Sequence, residues 1–87
     1  MSKQELTKEF LEHIKHGIVE YWSNLPDKSD SEKCDGVAFS ILTLLDGYSG
    51  GMPAYEVKPL DEDGNASEDI SGSLHEQYAV LGGSGNE

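Results

Sequence analysis

No arginine occurs anywhere in this sequence. Six lysines stand against 17 aspartates and glutamates, giving a net charge of −11 over 87 residues. Binding to a nucleic-acid backbone needs cationic side chains that displace counterions, and two-pronged recognition of guanine favours arginine. The composition therefore argues against direct DNA or RNA binding, and equally against electrostatic attraction to an anionic membrane surface. Cys34 is the only cysteine. That leaves no internal disulfide and no paired-cysteine metal knuckle, and it fits a reducing cytoplasm. No apolar run approaches the ~20 residues of a membrane span. The opening MSKQELTKEF is charged from Lys3 onward and lacks the apolar core of a secretory signal. The expectation is a soluble cytoplasmic protein.

Hydrophobic residues make up 36% of the chain, which is low for a globular domain. They are concentrated in residues 6–60 and 74–81, so a single domain over 1–81 is expected, with GGSGNE (82–87) as a flexible tail. The pattern Ser-x-x-Glu occurs at Ser2–Glu5, Ser29–Glu32 and Ser73–Glu76. Each is a candidate capping box, in which serine and glutamate satisfy the free amides of a helix start. The first predicts a helix over about 3–23, with Leu6, Phe10, Ile14, Ile18, Tyr21, Trp22 and Leu25 on one side, stopped at Pro26. The second predicts a central helix over about 30–45, buried on most sides, with Cys34 at a core angle. Its remaining face carries Gly36, Ser40 and Thr43, small enough for helix 1 to approach closely. Gly47 suits the left-handed cap position that ends it. The third predicts a helix from Ser73 with Leu74, Tyr78 and Leu81 on one face.

Between the second and third helices, AYEVKPL (54–60) alternates as a strand bracketed by Pro53 and Pro59. The DEDGN turn would return the chain along about 66–70 as its partner. The expected fold is thus α+β, in the order α-α-β-β-α, with a short antiparallel hairpin. The free edge of 54–58 predicts pairing with a symmetry mate, that is, a homodimer.

The loop LLDGYSGGMP places Gly47, Gly50 and Gly51 within five residues. It is not a phosphate cradle. Such loops follow a strand and open a helix, whereas this one follows a helix, begins beside Asp46 and has no lysine between Lys33 and Lys58. An anion there would meet the negative end of a helix dipole.

Glu9, His13, His16 and Glu20 are spaced to share one stripe of helix 1, and two histidines a turn apart are candidate ligands for zinc or another divalent ion. The competing account is a solvated polar face of an amphipathic helix. Asp61, Asp63, Asn65, Ser67 and Asp69 alternate as in a calcium loop, but Ala66 stands where that loop needs glycine and Gly72 where it needs glutamate. Cys34, His75 and an acid do not amount to a nucleophile–base–orienter set, because nothing in the sequence makes them converge. No catalysis and no cofactor are expected.

The segments CDGVAFSILTLLDGYSGGMPAYEVKP (34–59) and DISGSLHEQY (69–78) resemble a class of short bacterial and prophage-type proteins of unknown function. That class shares an acidic N-terminal helix, a DG-x-x-FS-x-L-x-x-LDG helix and a PAY or PAF strand. The resemblance implies an accessory protein and carries over no site residue. The reading that follows is a small acidic protein-interaction module, of phage or mobile-element type, contacting an unidentified protein through Tyr48, Met52, Tyr55, Asp61, Asp63 and Asp69. A metal-binding protein or metal-dependent enzyme using His13 and His16 is the alternative, and an acidic mimic of nucleic acid is a further one. The charge balance gives a direct test: neither duplex nor single-stranded oligonucleotides should shift in a mobility assay at ~150 mM salt. A retained shift would require a cationic surface that the sequence does not supply.

Overall fold

Each of the first two helix starts closes as its sequence predicts. Ser2 N–H donates to Glu5 Oε1 and Glu5 N–H to Ser2 Oγ, both at 3.1 Å. Ser29 N–H donates to Glu32 Oε1 at 2.9 Å and Glu32 N–H to Ser29 Oγ at 3.2 Å. The computed structural model describes residues 2–84. The chain divides into two compact units, Met1–Ile41 and Leu42–Glu87.

In the first unit α1 (Lys3–Glu12) runs directly into a π-helical segment, His13–Val19, and then into the single turn α2 (Glu20–Ser23). The sequence predicts one regular helix here, and the wide segment is the difference. Its bond from Glu20 N–H to Lys15 O spans five residues instead of four. The apolar spacing supplies a physical reason. Leu6, Phe10, Ile14, Ile18 and Trp22 recur every fourth residue. In a regular α-helix each such step overshoots a full turn by about 40°, so the stripe would wander around the helix. A wider turn winds it back. Ile18, in the middle of the segment, is buried.

The helix ends through local bonds. Asn24 N–H and its side-chain Nδ2 both donate to Glu20 O, at 3.2 and 2.8 Å, and Leu25 N–H donates to Trp22 O at 3.3 Å. Lys33 Nζ reaches Ser23 O at 3.2 Å, a cation at the negative end of α2. Helix α3 (Asp30–Leu45) begins in this unit. As the small-residue face predicts, it receives the preceding helix closely at Gly36 and Ser40. The Trp22 ring lies over Gly36, and a Cβ added there would stand only 2.4 Å from Trp22 Cδ2. The indole Nε1–H donates to Ser40 Oγ at 2.9 Å.

In the second unit α3 ends in a Schellman turn. Gly47 takes φ +88°, its N–H bonds Leu44 O, and Tyr48 N–H bonds Thr43 O, both at 3.1 Å. Leu44 is fully buried. The chain then runs through 53–60, turns at 61–65, and enters α4 (Leu74–Ser84). That helix takes in the first three residues of the expected tail; the last three lie outside the described residues.

The α+β expectation is overturned. The described residues are mostly helical and contain no strand, and the predicted hairpin is reduced to one isolated antiparallel bridge, Leu60 with Ala66. The cause is a slip in register. Pro59 O accepts from Ser67 N–H at 2.7 Å and Val57 O from Ile70 N–H at 2.8 Å. Two residues of one segment therefore face three of the other, and no regular ladder can propagate. Val57 N–H turns instead to the Asp69 carboxylate, at 2.7 Å, and Pro59 has no N–H to give.

The central buried helix is corrected as well. On α3 only Gly36 and Leu44 are buried, and Cys34, expected in the core, is exposed. No helix among the described residues is long and apolar enough to cross a membrane. The close contact at Trp22 makes a sharp prediction. Gly36→Ala should destabilise the protein by about 1–3 kcal/mol through overpacking, read as a lowered urea midpoint with an unchanged slope.

Candidate functional site: a buried carboxylate and an exposed aromatic

Asp46 follows the last residue of α3, and its side chain is wholly removed from solvent. A negative charge at a helix C-terminus is locally unfavourable, so its partners must come from elsewhere in the fold. They come from the start of α4. Asp46 Oδ1 accepts from Gly72 N–H at 2.6 Å, while Oδ2 accepts from His75 N–H at 2.8 Å. His75 Nδ1 lies 2.5 Å from the same Oδ2.

Burial pushes the Asp46 carboxyl up. The His75 side chain and the backbone amides of His75, Gly72 and Leu74 outweigh it, and the pKa is held at about 2. The carboxylate is therefore ionised at neutral pH and can only accept, which places the proton on His75 Nδ1. Asp46 thus does for α4 what the sequence assigned to a capping box at Ser73 and Glu76. Ser73 Oγ instead accepts from Gln77 Nε2 at 2.8 Å.

This dyad carries an exposed ring. Tyr48 is 67% exposed, and its ring centroid lies 5.1 Å from that of His75. His75 is in turn fixed by Asp46, so the tyrosine is mounted on an oriented support. Met52 and Tyr55 are half-buried, and Tyr55 O accepts from Ser71 Oγ at 2.8 Å. The acids of the loop divide by role. Asp61 Oδ1 accepts from Asp63 N–H and Asn65 N–H, both at 2.9 Å. Asp69 Oδ1 accepts from Val57 N–H at 2.7 Å and Ser71 N–H at 3.0 Å. Both carboxyls are held below their usual range, Asp61 chiefly by the amide of Asn65 and Asp69 chiefly by that of Val57. Asp61 and Asp69 therefore shape the loop as well as charge it, while the exposed Asp63 contributes its backbone amide.

The helix-borne stripe of Glu9, His13, His16 and Glu20 spans α1, the π-helical segment and α2. His16 Nδ1 pairs with Glu20 Oε2 at 2.7 Å on the surface. Among the described residues no group of three or more histidine, cysteine, aspartate or glutamate side chains is placed to hold a metal ion. His13 and Glu9 stand on the same helical run, and Gly17 leaves room beside the His13 ring, where an added Cβ would lie 3.6 Å from Nδ1.

Asp46 and His75 are the residues whose pairing sequence reasoning missed. The available signal was the conflict itself: an aspartate at the wrong end of a helix dipole marks a tertiary partner. Comparison with family models, with curated proteins and with solved structures finds no match.

The depressed Asp46 carboxyl sets the acid limb of stability. Its folded pKa, about 2, lies below its ordinary value of 3.8. The stabilisation it gives is complete above that ordinary value and is lost as pH falls through the folded one. Urea midpoints should therefore drop between pH ~4 and ~2. Asp46→Asn should lose about 2–3 kcal/mol at neutral pH and flatten this part of the profile.

Proposed function

We propose that the protein is a small acidic interaction module that docks on another protein through the surface around Tyr48. The observation that carries the reading is the mounting of Tyr48, an exposed aromatic ring held against an imidazole that a buried carboxylate has locked in place. Binding energy at interfaces concentrates in aromatic anchors of this kind, and an anchor ordered before binding loses less entropy on binding. The thinness of each unit supports the same reading. Among the described residues, Ile18 is the buried large apolar side chain of the first unit and Leu44 that of the second, while Tyr48, Leu60, Ile70, Val80 and Leu81 of the second stay exposed. A partner would add the apolar burial that so short a chain lacks.

The net charge of −11 selects a partner with a basic rim and speeds its approach. Phage or mobile-element origin and a cytoplasmic setting belong to this proposal. They rest on the sequence resemblance and on the single cysteine.

The two other readings have less to stand on. A nucleic-acid mimic needs a continuous outward acidic surface, whereas Asp61 and Asp69 direct carboxylate oxygens at their own loop. A metal protein needs convergent ligands, and His16 is engaged with Glu20.

Affinity capture from the host lysate, with salt raised in the wash, provides the test. A captured protein should survive about 0.5 M salt, since screening weakens only the charged rim. Tyr48→Ala should raise its dissociation rate about 30-fold or more, as loss of an anchor does. Asp63→Asn should slow association with little effect on dissociation. A partner indifferent to Tyr48→Ala would overturn the assignment of this surface.

A further inference from the structure

The segment 54–60 has two edges, and among the described residues only one of them is used. Tyr55 O, Val57 N–H, Val57 O and Pro59 O all bond to the chain at 67–71. The residues between them, Ala54, Glu56, Lys58 and Leu60, make no backbone hydrogen bond within the described residues. All four are exposed. Alternation of bonded and unbonded residues is the signature of an extended chain, whose amides and carbonyls point to opposite sides at successive positions. The protein therefore presents an open row of donors and acceptors of the kind that captures another extended chain.

The row is also in place before pairing. Ala54 sits against Gly47, where an added Cβ would come within 2.8 Å of the Ala54 Cβ, and the opposite edge is held by Asp69 and Ser71. Both prolines, 53 and 59, are odd-numbered and fall on the bonded side, so the open edge keeps every donor.

We propose that this edge pairs with the same edge of a second copy, antiparallel, about a two-fold axis at Val57. One register matches all four open residues. It sets Ala54 against Leu60 of the partner subunit and Glu56 against Lys58 of the partner subunit, and by symmetry each of these pairs occurs twice. Every facing pair of open residues exchanges two hydrogen bonds, and Val57 meets its own symmetry mate at the unbonded position between them.

The charges single out this occupant. Glu56 and Lys58 project from the same face, with Oε1 and Nζ 3.6 Å apart within one chain. A lone lysine on an open edge discourages pairing. Here the two-fold brings each lysine opposite a glutamate, and directly opposed unlike charges favour a sheet contact. A sequence that reads Glu-x-Lys about its own symmetry point is complementary to itself. The inference stands apart from target binding at Tyr48, since pairing at this edge neither requires nor supplies that partner.

Sedimentation velocity on the full chain at ~150 mM salt, where repulsion between two acidic copies is screened beyond about 8 Å, tests the pairing. The parent should sediment as a dimer at about 200 µM. Glu56→Lys and Lys58→Glu should each weaken the dimer about tenfold, because each sets like charges face to face twice. The double exchange should return the affinity to within about threefold of the parent, since it restores unlike pairs. A parent that remains monomeric overturns the proposal. So does a dimer that the single exchanges leave unchanged, or a double exchange as weak as the two single effects combined. Far-UV circular dichroism of each variant, matched to the parent, shows that the change lies in association and not in folding.

Discussion

The second unit depends on one buried carboxylate. Asp46 sits where α3 stops, and its two oxygens take the amides that open α4 together with the ring of His75. A helix that begins without a cap leaves several amides unsatisfied, and α4 would begin that way if Asp46 were apolar. The same residue would be a liability alone, because it adds negative charge where the α3 dipole is already negative. The two unfavourable ends cancel: the electropositive start of one helix neutralises the acid placed at the electronegative end of the other. The position of His75, and through it the attitude of Tyr48, follow from that cancellation.

The first unit is organised by shape instead of charge. Gly36 has no side chain, and the Trp22 ring occupies the space one would fill. Ser40 then accepts the indole N–H, so a large aromatic residue is packed flat and its one polar atom is satisfied. This contact lies close to the point where the wide turn of the preceding helix returns to regular α geometry, and it gives that geometry a purpose. The π-helical segment sets the rotation at which Trp22 leaves the helix.

How much of this was legible in the sequence follows from how local each cause is. Capping boxes at Ser2 and Ser29, the Gly47 cap and the close approach at Gly36 rest on residues a few positions apart or on the absence of a side chain, and all four are present. The hairpin failed because its signals were local and its obstacle was not. Alternation in 54–60 and the turn at 61–65 are real features, yet Asp69 claims an amide the ladder needed, and the register slips by one residue. The apolar composition of α3 predicts burial on most sides, yet the described residues around it cover it fully only at Gly36 and Leu44, and Cys34 ends exposed. The Asp46–His75 pair spans 29 positions, and only the misplaced charge of Asp46 hinted at it. For the surface sites, Tyr48 could be named from its loop position, but its support by His75 could not.

The π-helical run His13–Val19 has a consequence for how this helix can change length. A wide turn is equivalent to one residue more than an α-helix needs to join the same two flanks. A variant shortened by one residue inside the segment could close the ladder as a regular α-helix while leaving Phe10 and Trp22 facing as they do now. A residue lost from α1 or α2 has no such reserve and would swing the apolar stripe by roughly 100°. The helix therefore carries its slack in one place, and natural or designed length variation should be absorbed there first.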